Sequence, residues 1–416
     1  MQILKLTPQT EKRVLAQRAQ DRAETHAMAA KIVADVRKNR DASLFAYAKR
    51  FDHTDLRRTG VWITQKEIRI AQKATSPEFR KAIEKAAESV RKVAEKQLPR
   101  PWTVETSPGV KIHQVVRPIE AIGCYIPGGQ FSLVSTLLMT IVPARVAGVP
   151  NVVAVCPRPN SKLLAAAGML GVERIARIGG AQAIAALAYG TKSVPRVDKI
   201  FGPGNKYVTA AKQIVSNDCA IDLPAGPTEA IVFAEQGNAR WVAADLLAQA
   251  EHAKDAASFF ITTSPSLACE VQREIKSQLA ELPGSMAHCS TQRSGAILVA
   301  KSVDQACEFI NRFAPEHLSL PENAENLLQK IRSAGTAFLG PWGAQPLGDY
   351  ATGSNHILPT GGWARSRGGL SSVDFVKCIS VQTITRTGFR YLAEAVEILA
   401  ESEGLMAHRN AVRIRR

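Results

Sequence analysis

Glu120-Ala-Ile-Gly-Cys-Tyr-Ile126, Asn151-Val-Val-Ala-Val-Cys156, Arg174-Ile-Ala-Arg-Ile178 and Val197-Asp-Lys-Ile-Phe201 are short β-rich runs separated by segments of helical pattern. Runs with apolar residues on both faces suit strands buried on both sides, and such strands belong to a parallel sheet covered by helices. A second series follows at Ala230-Ile-Val-Phe-Ala234, Ser258-Phe-Phe-Ile-Thr262, Ala296-Ile-Leu-Val-Ala300 and Thr336-Ala-Phe-Leu339. The alternation predicts an α/β chain with two consecutive Rossmann-like parallel-sheet units, residues 106–228 and 229–360, meeting at a seam near Pro224 to Thr228. The similar length of the units suggests a structural repeat, although no repeated sequence accompanies it.

Outward from this centre, residues 1–105 read as a helical N-terminal region. Thr7-Pro8 is a cap followed by proline at the first helical position, Thr64-Gln-Lys-Glu67 is a capping box, and Ser76-Pro77-Glu78 starts a further helix. Pro99 and Pro101 break the pattern. Beyond Thr360 it turns irregular, and residues 361–416 form a small helical tail with helices at about 388–402 and 404–414.

At 416 residues and 45% hydrophobic content the chain has room for more than one full core. Its seven cysteines are odd in number, scattered and without a CxxC pair, which argues against a disulfide framework or a cysteine metal site and favours a reducing cytoplasm. No uncharged apolar run approaches the roughly 18–20 residues of a membrane span. The formal charge of +16 invites a nucleic-acid reading. However, the excess is spread out, densest at Arg91 to Arg100 and Arg409 to Arg416, with no zinc-finger spacing, RNP motif or aromatic-basic interleaving. A solvated surface that helps gather a dinucleotide phosphate is the better reading; salt-sensitive, chelator-independent retention on DNA would favour the rival.

Gly128-Gly129, Gly179-Gly180 and Gly202-Pro-Gly204-Asn205 each follow a predicted strand, where a doubly wound sheet binds phosphate. No Gly-x-Gly-x-x-Gly fingerprint is present, and glycines at such turns are more often conformational relief. By themselves these residues name no cofactor.

Four further segments place polar side chains where chemistry would use them. In Ala243-Ala-Asp-Leu-Leu-Ala-Gln249-Ala-Glu-His252-Ala, Gln249 and His252 are three residues apart and share a helix face, offering one oxygen and one nitrogen donor. Phe313-Ala-Pro-Glu316-His317 adjoins a carboxylate and an imidazole, after a proline that fits the start of a helix. Gly348-Asp349-Tyr-Ala-Thr-Gly-Ser-Asn355-His356-Ile-Leu-Pro359 is a turn-rich loop, and Glu403-Gly-Leu-Met-Ala-His408 lies near the C-terminus. Read singly, each is more often a core residue or a helix-start carboxylate beside a surface histidine.

Jointly, with Tyr125-Ile-Pro-Gly-Gly, Ile178-Gly-Gly-Ala-Gln182-Ala, Gly202-Pro-Gly-Asn205 and Pro224-Ala-Gly-Pro-Thr228-Glu, their order closely resembles the histidinol dehydrogenase family from about residue 20 to His408. The resemblance implies one Zn²⁺ per subunit held by Gln249, His252, Asp349 and His408, and an acid–base pair Glu316 and His317. It implies NAD contacts at Tyr125, Gln182 and Asn205, bound in an atypical mode given the missing fingerprint. Substrate contacts are implied at Thr228, His317, His356 and Glu403 as well as at the metal ligands. The implied partners are L-histidinol and a second copy of the chain, in a domain-swapped homodimer whose tail brings Glu403 and His408 to the partner's site; no nucleic acid and no membrane are expected. Thr228 stands where the family usually has Ser, and Ser366-Arg367-Gly368-Gly369 departs from the usual Phe and Ser after Ala364-Arg365.

The donor set of two nitrogens and two oxygens suits borderline Zn²⁺, and a histidine beside a carboxylate suits alcohol oxidation followed by water activation. His317 is assigned to the alcohol and Glu316 to the water. No cysteine adjoins these segments, so a thiohemiacetal route is not suggested, and Cys307 reads as packed in a helix. His26, His53, His113 and His288 read as structural or exposed. The expected reaction is oxidation of L-histidinol through L-histidinal to L-histidine with two NAD⁺; the nearest alternative is another small amino- or sulfo-alcohol.

Overall fold

The computed structural model describes residues 1–18, 23–128, 133–223, 226–322 and 324–416; Gly129, Pro224 and Ala225 from the segments above lie outside them. In chain order the strands are β1 (Gln2–Lys5), β2 (Trp102–Ser107), β3 (Val110–Pro118), β4 (Ala121–Tyr125), β5 (Asn151–Val155), β6 (Ile175–Ala176) and β7 (Lys199–Phe201). They continue with β8 (Ala220–Ile221), β9 (Glu229–Phe233), β10 (Ala257–Thr262), β11 (Ala296–Val299), β12 (His317–Leu320), β13 (Thr336–Leu339) and β14 (Val376–Ile384).

The first parallel sheet has the order β6-β5-β4-β7-β8. Its direction of growth reverses between β4 and β7, which opens a crevice at their carboxyl ends, where open α/β sheets bind ligands. Ile122 and Cys124 are buried, and Gly123 has no room for a side chain because a Cβ there would meet Leu187 Cδ1 at 2.8 Å. Helix and sheet therefore approach closely at this strand.

The second sheet is also all parallel, ordered β1-β11-β10-β9-β12-β13, with its reversal between β9 and β12. All five residues of β9 and all four of β12 are buried, so apolar content on both faces is what the packing demands. The expected α/β architecture is the observed one, with three differences of detail.

First, the N-terminal region is not wholly helical, since Gln2–Lys5 forms the edge of the second sheet by pairing with β11. Four residues carry too little periodicity to signal a strand whose partner lies nearly three hundred positions away. Second, Pro315 does not open a helix: the Val303–Phe313 helix stops at Ala314 in the left-handed conformation (φ 51), and Glu316-His317 enters β12. Third, the tail holds a strand as well as helices, for β14 runs antiparallel along the whole of β3 in the sheet β14-β3-β2. Its two helices span Arg386–Ser402 and Met406–Arg413.

The three N-terminal caps form as read: Thr7 accepts from Thr10 N at 3.2 Å, Thr64 and Glu67 make a reciprocal box, and Ser76 accepts from Phe79 N at 3.3 Å. The latter two helices buttress the first sheet's layer, Gln65–Lys73 against Ser161–Met169 and Pro77–Gln97 against Val134–Val146, whereas the Pro8–Gln17 helix places Val14 in the second sheet's core. No helix among the described residues is long and apolar enough to cross a membrane.

Candidate active site

Chain direction explains why the site residues meet. The helix after β9 returns antiparallel to the strands, so its C-terminus arrives near the amino ends of β9 and β12, where Thr228 and Glu316 stand. Gln249, fully buried, lies in the last turn of that helix, Ala239–Ala250. His252 falls beyond the helix rather than on its face, because Glu251 is the C-cap; a bond from His252 N to Gln249 O at 3.4 Å keeps the turn tight. Asp349 sits in a short helix, Gln345–Tyr350, not in the loop expected for it. That loop begins after it, and His356 there donates its Nδ1–H to the Asp349 carbonyl oxygen at 2.9 Å.

Asp349 is shared by two imidazoles, with Oδ1 3.4 Å from His317 Nε2 and Oδ2 3.9 Å from His252 Nε2. On its other side His317 turns Nδ1 to within 3.8 Å of Glu316 Oε2. Glu316 Oε2 accepts from the Thr228 hydroxyl and from Glu229 N (2.9 Å), and Gln249 Nε2 donates to Thr228 Oγ1 at 2.5 Å. Burial pushes the Glu316 carboxyl up, with His317 and Thr228 opposing. Burial works against the charged His317 ring, yet Glu316 and Asp349 outweigh it and raise its pKa. Burial likewise opposes the Asp349 anion, but the His317 hydrogen bond and charge hold that carboxyl below its usual range, while burial lowers His356.

The cofactor candidates gather at the first sheet's crevice. Tyr125 ends β4, and its hydroxyl accepts from Gly180 N at 3.1 Å. Gln182, 1% exposed, donates Nε2 to Asp52 Oδ2 at 3.1 Å, and Gly179 N reaches the same oxygen at 3.2 Å. Burial raises the Asp52 carboxyl to about 6. Asn205 caps the Lys206–Val215 helix, accepting from Tyr207 N (3.0 Å) and Val208 N (3.1 Å). Gly202, just after β7, has φ +109 and lies against the Tyr125 carbonyl, a position only glycine fits. His356 links the two halves, with Nε2 3.4 Å from Thr136 Oγ1 on the helix after β4.

Glu403 and His408 are not brought to this cluster within the chain. Both are exposed on the tail, whose helices pack on each other, the first of them also on β14. Among the described residues no group of three or more His, Cys, Asp or Glu stands ready to hold a metal. Sequence reasoning missed Arg18, which forms a buried ion pair with Glu229 and lies 3.4 Å over the Phe313 ring, and it missed Asp52 and Gln345. Each acts on a partner far away in sequence, so no local spacing signals it. Arg367, one of the departures from the family pattern, donates to the Asp222 carbonyl and to Asp374 Oδ1 at 3.3 Å, which makes it a tie between loops.

A doubly wound sheet with an open crevice, set beside a buried carboxylate–imidazole pair, is the equipment of a nicotinamide-dependent dehydrogenase. The profile of the family described as histidinol dehydrogenase matches residues 15–416, and the chain belongs to that family. It is 43% identical over 393 residues to histidinol dehydrogenase of Methanosarcina barkeri, covering 92% of this chain and 90% of that protein. With the Bacillus thuringiensis subsp. konkukian enzyme it shares 44% over 391 residues, 92% of this chain and 91% of the other. The crystal structure of histidinol dehydrogenase from Elizabethkingia anophelis matches at a TM-score of 0.93 and 38% identity, covering 100% of this chain and 98% of that one. The family is NAD-dependent and catalyses the final step of histidine biosynthesis.

Proposed function

We propose that this protein oxidises L-histidinol through L-histidinal to L-histidine with zinc and NAD⁺, at a site completed by the tail of a second copy of the chain. The observation that carries the reading is Asp349 standing between His252 and His317, which joins a metal-donor set to an acid–base pair through one carboxylate. Gln249, His252 and Asp349 offer oxygen, nitrogen and oxygen, a set that zinc accepts. His408 would be the fourth donor, so a single chain offers an incomplete set. Bound zinc would orient the imidazole and amine of the substrate, and bound nicotinamide would accept the hydride of each oxidation.

The chain's own residues supply the proton steps. His317 takes the hydroxyl proton of the alcohol as its hydride leaves carbon. The aldehyde then needs a hydroxyl, and Glu316 takes the proton from the water that adds. Thr228 and Glu229 N hold one oxygen of that carboxylate, which fixes its direction. His356 and, from the partner, Glu403 contact the substrate. Tyr125, Gln182 and Asn205 face the cofactor at the first sheet's crevice.

Support for the exchanged tail comes from its surface, where Tyr391 is 67%, Ile398 60%, Leu399 62% and Ile414 79% exposed. Apolar side chains left this exposed among the described residues, along the Arg386–Ser402 helix and at the end of Met406–Arg413, suit an interface. In this reading residues 1–105 buttress, 106–228 bind cofactor, 229–360 hold metal and acid–base pair, and 361–416 cross over. None of the seven cysteines, all among the described residues, is joined in a disulfide, which suits the reducing cytoplasm.

Product analysis with histidinol and NAD⁺ tests the proposal. L-histidine with two NADH per molecule, abolished by a chelator and restored by Zn²⁺, is the expected result; absence of histidine, or turnover indifferent to chelation, would overturn it.

A further inference from the structure

The polar chain at the site continues past Gln249. Gln345, 1% exposed, is the first residue of the Gln345–Tyr350 helix and donates Nε2–H to Gln249 Oε1. It lies one helical turn before Asp349, so the two share a face of that helix. Its own Oε1 is buried and has no hydrogen-bond partner among the described residues. Nothing in the assigned chemistry uses Gln345.

An amide presents an oxygen and an NH₂ of nearly the same shape, and its neighbours decide which end faces a ligand. Here both ends are specified. Thr228 donates its hydroxyl hydrogen to Glu316, so its oxygen is left to accept, and Gln249 must give it an N–H. The Gln345 N–H then meets the Gln249 oxygen, which still has a second lone pair for a metal. We infer that Gln345 is a positioning residue which, with Thr228, fixes the carbonyl oxygen of Gln249 as the atom a metal meets. The inference rests on Gln249 being a zinc ligand. It also ties that ligand to the water-activating carboxylate through one hydroxyl.

The test is zinc affinity of the full-length, metal-stripped protein, measured by competition with a chromophoric chelator, together with the visible absorption of the Co²⁺-loaded form. Gln345→Met keeps the length and removes the donor; it should weaken Zn²⁺ binding about 10- to 100-fold and alter the Co²⁺ spectrum while the metal-free protein melts as before. If that variant does not fold, Gln345→Ser serves in its place. Parental zinc affinity and an unchanged Co²⁺ spectrum would overturn the inference. Gln249→Ala separates the two levels. Loss of zinc there with retention in the Gln345 variant rejects only the positioning role, whereas parental zinc affinity in Gln249→Ala rejects the ligand assignment itself.

Discussion

At the scale of the residue, the acid–base pair divides its labour by environment. Glu316 is buried with its carboxyl pushed up and one oxygen tied down, while His317 lies between Glu316 and Asp349. Glu316→Gln should therefore slow histidinal oxidation about 10²-fold or more while slowing histidinol oxidation much less, and His317→Asn should slow both. Separate assays starting from alcohol and aldehyde check this; equal losses in the two steps for Glu316→Gln reject the division. Asp52 gives a pH-dependent prediction. Its folded pKa of about 6 lies above the ordinary carboxylate value, so its contribution to stability is full below about pH 4 and is lost as pH rises through about 6. Melting temperatures of Asp52→Asn minus the unaltered protein should be most positive near pH 7.5 and fall steadily toward pH 4; a difference that stays flat would mean Asp52 is not buried as described. Gln249, His252, Asp349, Glu316, His317 and Thr228 were legible only through the joint order of the short segments that carry them, since each segment alone favours a bland reading. Asp52, whose partner Gln182 lies 130 positions away, was not.

At the scale of the element, the same cues that read correctly in one place misled in another. Caps at Thr7, Thr64 and Ser76 worked because their hydrogen bonds close within three residues. Pro315 misled because proline suits a strand entrance as well as a helix start, and what decides is the sheet slot between β9 and β13 that only tertiary structure offers. β14 escaped notice because its apolar residues, Val376, Cys378, Ile379, Val381 and Ile384, do not keep to one face and are largely exposed, which blurs the period-two signal. Asn205 shows an element serving two ends. As N-cap it satisfies two backbone donors, and at the crevice it is assigned to the cofactor. Asn205→Asp keeps the capping oxygen but adds negative charge where a pyrophosphate would approach, so it should leave the melting temperature unchanged and raise the KM for NAD⁺ several-fold. Asn205→Ala should also lower stability by about 1 kcal/mol. An unchanged KM for NAD⁺ in Asn205→Asp would remove Asn205 from the cofactor site.

At the scale of the whole molecule, the two sheets contribute opposite ends: the carboxyl ends of β4 and β7 form the crevice proposed for the cofactor, and the amino ends of β9 and β12 carry Thr228, Glu316 and His317. The alternation of strands and helices made both sheets legible, whereas their mutual orientation depends on loops with no periodicity. The tail's destination is likewise unreadable from one chain, because a residue that works in a partner looks like any exposed residue. His408 is exposed here and His252 stands in the cluster, so each can be removed separately. Neither His252→Ala nor His408→Ala should be active alone. Mixed, unfolded and reassembled together, they should pair at random, so that half of the dimers are mixed and half the sites in those are intact, giving about a quarter of unaltered activity. Recovery near that level is what the exchanged-tail account predicts; activity that stays at background while mass measurement confirms subunit exchange would contradict it.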